Sequence, residues 1–153
     1  MHRSALWIGL CSIVWLLVGC DYSNEQAIRQ YDIDLEPIRA EITQLSKYQP
    51  RLQDKHSASR CEAFVHKEVL SRSNRISKQL STIQPEHEKL AELHSELREI
   101  WSDYQTAYDD FVDDLEEHNL KLKKLELQEV LERQEVRMRW WNGEIRSLHE
   151  TYL

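Results

Sequence analysis

The chain is poor in the residues that interrupt helices. Only three glycines and three prolines occur among its 153 residues, whereas charged residues make up 31%. So few break points favour helix, and the length suits one domain. Glycine-rich phosphate loops and strained catalytic turns are not expected, because they need more glycines than this chain has. No nucleophile–histidine–acid set stands out either. The composition therefore predicts a helical protein that is not an enzyme.

An excess of basic residues is also missing. The formal net charge is -7 at pH 7, and residues 20–153 contain 19 basic against 27 acidic side chains. Proteins that bind nucleic acid neutralise phosphates with a basic face, and this charge balance does not favour one. Nucleic acid is therefore not expected as a partner.

Long apolar runs are missing everywhere except at the start of the chain. Arg3 is the only charged side chain before residue 20, and the uncharged run from Ala5 to Val18 is 14 residues long. That length is typical of the apolar part of a secretory signal peptide and is short for a membrane span. The run ends in "LVGC" at residues 17–20, and the sequence turns polar directly afterwards.

The segment Leu17–Cys20 resembles the lipobox of bacterial lipoproteins. The resemblance implies that residues 1–19 are a signal peptide, cut between Gly19 and Cys20. It also implies that Cys20 carries a diacylglyceryl group and further acyl chains, with no other cofactor. Two or three acyl chains anchor a protein stably where one would not. In enterobacterial lipoproteins an Asp directly after the acylated cysteine favours the inner membrane, and Asp21 stands at that position. An uncleaved signal anchor and ordinary signal cleavage are the alternatives.

The rest of the chain, residues 20–153, is predicted to be one helical domain facing the envelope. Apolar residues recur every three or four positions, and breaks near Pro50, Pro85 and Asn119 separate four helices. These cover about residues 24–48, 58–83, 86–118 and 120–150. The predicted fold class is all-α: an antiparallel three- or four-helix bundle or hairpin with coiled-coil character, preceded by an N-terminal signal helix.

Three local features refine this prediction. Pro37 should cause a kink or a fresh helix start near Glu36, because proline removes a backbone hydrogen bond and clashes with the preceding turn. Pro85 should lie in the first turn of the third helix. The apolar stripe that begins at Leu90 runs on to Leu122 and Leu125, and a second stripe, out of phase by two residues, begins at Leu127. Both stripes are predicted to face the core.

The segment around Trp140 and Trp141 is the candidate partner-binding surface. Adjacent residues on a helix point about 100° apart, so both indoles cannot face one narrow seam. Arg137 and Arg139 lie beside them, and tryptophan with arginine is common at protein hot spots and at lipid headgroups. Plain core packing at the end of the bundle is the alternative.

Other polar residues carry weaker signals. His66, His87 and His94 are not spaced three or four residues apart, as two ligands from one helix would be, so no metal site is predicted and surface or flanking positions are expected. The carboxylates between Asp103 and Glu117 form either the solvated side of a helix or a docking surface for a basic partner. Cys61 is expected to be a buried thiol.

These patterns lead to one functional expectation and one alternative. The first is a lipid-anchored helical lipoprotein of the bacterial cell envelope, facing the periplasm and acting as a binding or scaffolding protein. Its partners would be the membrane, through the anchor, and a protein partner or a second copy. The alternative is a small helical bundle that binds a small ligand or a metal.

Overall fold

The computed structural model describes the backbone of residues 5–153 and the side chains of residues 22–153. Over this range the protein is all-α, as predicted, and the described backbone contains no strand. Residues 1–4 of the predicted signal peptide, the side chains of its other residues, and the side chains of Cys20 and Asp21 lie outside the described residues. The helices are α1 (Ala5–Leu45), α2 (Tyr48–Gln53), α3 (Ala58–Phe64), a π-helical segment (Val65–Leu70), α4 (Ser71–Thr82), α5 (Glu88–Val112) and α6 (Leu120–Tyr152).

Four helical segments form an antiparallel bundle. α1 packs on α4 and α6, α4 packs on α5, and α5 packs on α6; α3, the π-helical segment and α4 act as one continuous second segment. Each segment buries one apolar stripe, and the four stripes meet in a single core. Burying these stripes supplies most of the stability of the helices, because an isolated helix gains little from propensity alone.

The fresh helix start predicted near Glu36 is not found, because α1 continues through Pro37. Pro37 is exposed, while Leu35 and Ile38 on either side of it are each only 1% exposed. The apolar seam thus holds the helix on both sides of the lost backbone hydrogen bond. Packing in the core outweighs the local preference of proline to end a helix.

The π-helical segment matches an unusual spacing in the sequence. Cys61, Val65, Val69 and Ser73 are all at most 1% exposed and follow one another in steps of four. Three successive steps of four drift around a 3.6-residue helix, by about 40° at each step. A wider turn with i→i+5 hydrogen bonds reduces that drift and keeps the four side chains against the core.

Two turns define where α5 begins and ends. Pro85 precedes α5 instead of lying in its first turn, and His87 caps the helix by accepting a hydrogen bond from the Leu90 amide at 3.4 Å. After Val112 the chain turns at Asp114, whose φ is 53°. Asp tolerates this left-handed backbone better than most residues do. The break predicted near Asn119 is a turn that spans residues 113–119.

That turn changes which side chains face the core. The prediction that Leu122 and Leu125 continue the buried stripe of α5 is wrong, because they are 59% and 51% exposed. α6 instead buries Leu127, Leu131 and Trp141 against α5. The change of phase seen in the sequence marks the start of a new helix, whose buried side is turned about the helix axis relative to a continuation of the α5 stripe.

Candidate functional site

The two adjacent tryptophans of α6 have opposite environments. Trp141 is 3% exposed, and its indole N–H donates a hydrogen bond of 2.6 Å to the carbonyl oxygen of Leu93 on α5. Trp140 is 51% exposed. Exposure of one indole agrees with the 100° angle between neighbouring helical residues. Trp141 thus belongs to the core, and Trp140 is the one available to a partner.

Arg137 is engaged within the bundle. Its guanidinium lies between three carboxylates of α5, with Nη2 at 2.8 Å from Glu96 and 3.6 Å from Glu99, and with Nη1 hydrogen-bonded to Asp103. Hydrogen bonding to Glu96, the largest cause, raises the pKa of Arg137 above its ordinary value. This cluster joins α6 to α5 and uses three of the acidic side chains on that helix.

Arg139 differs from Arg137 because it contacts only its own helix. Its side chain is 65% exposed and lies 3.4 Å from Glu135, one turn earlier. An exposed pair at this spacing contributes only about 0.3–0.5 kcal/mol. Of the four residues singled out in the sequence, Trp140 and Arg139 therefore remain accessible, whereas Trp141 and Arg137 hold α6 to α5.

The structure adds three exposed apolar side chains to the helix that carries Trp140. Leu122, Leu125 and Val136 are each more than half exposed on the same helix, although Leu122 and Leu125 lie several turns earlier. Their spacing from Trp140 places all four on one side of α6, opposite the side that buries Leu131 and Trp141. We call Leu122, Leu125, Val136 and Trp140 the outer face of α6. Leu122 and Leu125 have a signal in the sequence, because they end the first apolar stripe, which runs on past the end of α5.

The buried polar centre of the bundle is His94, which was expected at the surface or flanking the core. It is 4% exposed, and its Nδ1 lies 3.1 Å from the Tyr31 hydroxyl while its Nε2 lies 2.9 Å from the Leu80 carbonyl oxygen. Because a carbonyl only accepts, Nε2 carries the proton, and Tyr31 donates to Nδ1. Burial, the largest cause, lowers the pKa of His94. A neutral imidazole thus joins α1, α4 and α5.

The remaining histidines do not converge with His94. His66 is exposed on the π-helical segment, whereas His87 caps α5 and packs edge-on against the ring of Tyr152 at 5.8 Å. Within residues 22–153 no group of three or more metal-ligating side chains comes together. Cys61 is a buried free thiol, and burial, the largest cause, raises its pKa.

An apolar groove opens between α1, α5 and α6. It has a volume of about 290 Å³. Trp101 and Tyr104 form part of its wall as a stacked pair with ring centroids 4.8 Å apart. Leu131 and Met138 line it from α6, with Glu132 and Glu135 beside them. The groove is at the lower end of the size range of small-molecule sites.

Ser73 carries an unsatisfied buried hydroxyl. Its side chain is fully buried and its Oγ has no hydrogen-bond partner among the described residues, although its carbonyl oxygen accepts a bond of 3.1 Å from the indole of Trp101. A desolvated hydroxyl without a partner costs about 1–3 kcal/mol.

We expect Ser73→Ala to raise the free energy of unfolding by up to about 1 kcal/mol, because it removes that hydroxyl and leaves only a small void. Urea unfolding of both proteins measures the effect. Ser77→Ala is the matched control on the same helix, since Ser77 donates a 3.1 Å hydrogen bond to Gln105 and its loss should not stabilise. A Ser73→Ala protein less stable than the wild type would contradict this account of the site.

Comparison with known proteins adds no relative. No protein-family model, curated protein or solved structure matches this chain. Among the described helices, none combines the length and the apolar character needed to cross a membrane.

Proposed function

We propose that the chain is a bacterial lipoprotein, anchored through lipid on Cys20 after removal of residues 1–19. It acts without catalysis, as a binding or scaffolding protein on the periplasmic face of the membrane, and Asp21 favours the inner membrane. The outer face of α6 is its binding surface. The observation that carries the binding role is the exposure of Trp140 beside a fully buried Trp141.

The bundle geometry supports attachment at one end. The chain enters the bundle through α1, and Asn24 near that entry lines the same surface cleft as Tyr152 at the end of α6. His149 also lies 2.9 Å from Asp32 of α1. An anchor at residue 20 would therefore hold the end of the bundle formed by the start of α1 and the end of α6.

The position of Trp140 along α6 favours a protein partner over the membrane surface. Trp140 precedes Tyr152 by 12 residues, which corresponds to about 18 Å of helix. With the anchor at the Tyr152 end, an upright bundle would hold this indole well away from the headgroups. An exposed tryptophan with an apolar side chain one turn earlier and an arginine beside it is typical of protein interfaces.

Intact-mass measurement of the protein from its own membrane tests the anchor. We expect a chain that begins at Cys20 and carries a diacylglyceryl group with added acyl chain, because the thiol of that cysteine accepts the lipid. Cys20→Ala should abolish both the adduct and the cut, leaving the full-length chain. Cys11→Ala is the matched control and should be processed normally. An unlipidated wild-type chain that retains residues 1–19 would rule out the proposed anchor.

The second candidate function is binding of a small apolar ligand, and the groove beside Trp101 favours it. Its aromatic and aliphatic lining would hold such a ligand by burial. The two candidates involve different tryptophans. A groove ligand would change the fluorescence of Trp101 and leave Trp140 accessible, whereas a partner on α6 would shield Trp140.

A further inference from the structure

We propose that the outer face of α6 binds the same face of a second copy of this chain, with the two α6 helices antiparallel. This inference names the partner for the proposed binding role and rests on it, but it does not depend on the lipid anchor. Three properties of α6 carry it: the spacing of its exposed residues, two opposite charges without partners, and its charge balance.

Four exposed residues of α6 are arranged symmetrically along the helix. Leu122 precedes Glu129 by seven residues, and Arg133 precedes Trp140 by seven. Seven residues are close to two helical turns, so all four positions lie on the outer side of α6. When a second copy is reversed about the midpoint, Leu122 lies opposite Trp140 and Glu129 lies opposite Arg133. A two-fold axis would make each of these contacts twice.

The two central charges lack partners in one copy. Glu129 and Arg133 are both exposed, and neither forms an ion pair with any other described side chain. The antiparallel pairing would bring each of them beside the opposite charge of the other copy. Complementary charges of this kind set the register and orientation of paired helices.

The charge balance makes α6 a less repulsive contact than α5 between two identical chains. α6 carries seven basic and six acidic side chains, whereas its neighbour α5 carries two basic and seven acidic ones. The whole chain has a net charge of -7, so copies that approached through α5 would repel each other. α6 offers apolar contacts at nearly neutral charge.

The size of the contact predicts a weak dimer. The stretch from Leu122 to Trp140 is about 28 Å long, and one helix pair of that length buries less than a standard interface of about 1,600 Å². We therefore expect micromolar dissociation in solution. Antiparallel pairing places the two anchored ends at opposite ends of the dimer, so two copies tethered to one membrane pair only when both bundles lie along its surface.

Sedimentation equilibrium of the full chain, with detergent micelles in large excess over protein, tests this pairing by charge reversal. Glu129→Arg and Arg133→Glu should each weaken dimerisation by about tenfold, because like charges then meet. The double variant should restore it to within about threefold of the wild type. Trp140→Ala should weaken it by about tenfold or more. Arg146→Glu, exposed on the same helix outside the paired stretch, is the matched control and should have little effect.

Three results would overturn the dimer. The first is a wild-type chain that stays monomeric at about 100 μM, far above a micromolar dissociation constant. The second is a dimer that none of the single variants weakens. The third is a double variant that dimerises no better than the single variants. Membrane fractionation and intact masses of the same variants show whether the lipid anchor is present, so failure of the dimer is distinguished from failure of the anchor. Both substitutions should leave the anchor intact, since Glu129 and Arg133 lie far from Cys20 in sequence. A photo-cross-linker at residue 140 that captured another envelope protein would overturn the second copy as partner while supporting the binding face.

Discussion

Replacing Trp141 with alanine is expected to lower the free energy of unfolding by about 3–5 kcal/mol, the usual range for a buried aromatic. The indole is 3% exposed, and its N–H bond to the Leu93 carbonyl oxygen ties α6 to α5. Alanine would leave a cavity between the two helices and remove that bond. Urea unfolding followed by circular dichroism measures the loss.

The neighbouring residue provides the matched control. Trp140→Ala removes the same side chain from the same helix, but 51% of Trp140 is already exposed, so we expect a change of less than about 1 kcal/mol. Trp141→Phe should lie between the two, because it fills most of the cavity and loses only the hydrogen bond. Equal losses for Trp140→Ala and Trp141→Ala would contradict the assignment of one indole to the core and the other to the surface.

Lowering the pH from 8 to 5 is expected to destabilise the bundle through His94. Burial lowers the pKa of His94 in the folded state, so the unfolded chain takes up a proton first as the pH falls. Stability is full above the ordinary histidine pKa of about 6.5 and falls below it, by at most about 1.4 kcal/mol per pH unit for one proton. The loss of stability ends once the pH is below the pKa of His94 in the folded state.

His94→Gln isolates this effect. Glutamine cannot titrate, so the variant should be less stable at pH 8 but should lose less stability between pH 8 and pH 5 than the wild type does. His66→Gln is the control for an exposed histidine and should leave the pH dependence unchanged. Urea midpoints at both pH values give the comparison. Identical pH slopes for the wild type and His94→Gln would show that another group controls the acid sensitivity.

The spacing of apolar residues predicted the helices because each helix buries one stripe of apolar side chains. The stripes through Leu93 and Ile76 and the breaks at residues 83–87 and 113–119 all correspond to the structure. The fresh helix start predicted at Pro37 is wrong because the prediction weighed one lost hydrogen bond and not the burial on either side of it.

The candidate site was harder to predict because it depends on how helices rotate against each other. Whether Leu122 faces the core is decided by the turn at residues 113–119, and the stripe alone does not contain that information. His94 was expected outside the core because its polar ring gives no sign of the Tyr31 and Leu80 groups that satisfy it across helices. Only the assembled bundle separates Trp140 from Trp141.

The closeness of Asn24 and Tyr152 affects how the protein can be labelled. A fluorescent protein fused after Leu153 would lie beside the point where the chain enters the bundle. It would crowd the proposed lipid anchor at that end. The turn at residues 113–119 lies at the other end of α5 and α6 and exposes several of its side chains, including Glu116, Glu117 and His118. A short epitope inserted there would report on the molecule without obstructing its attachment.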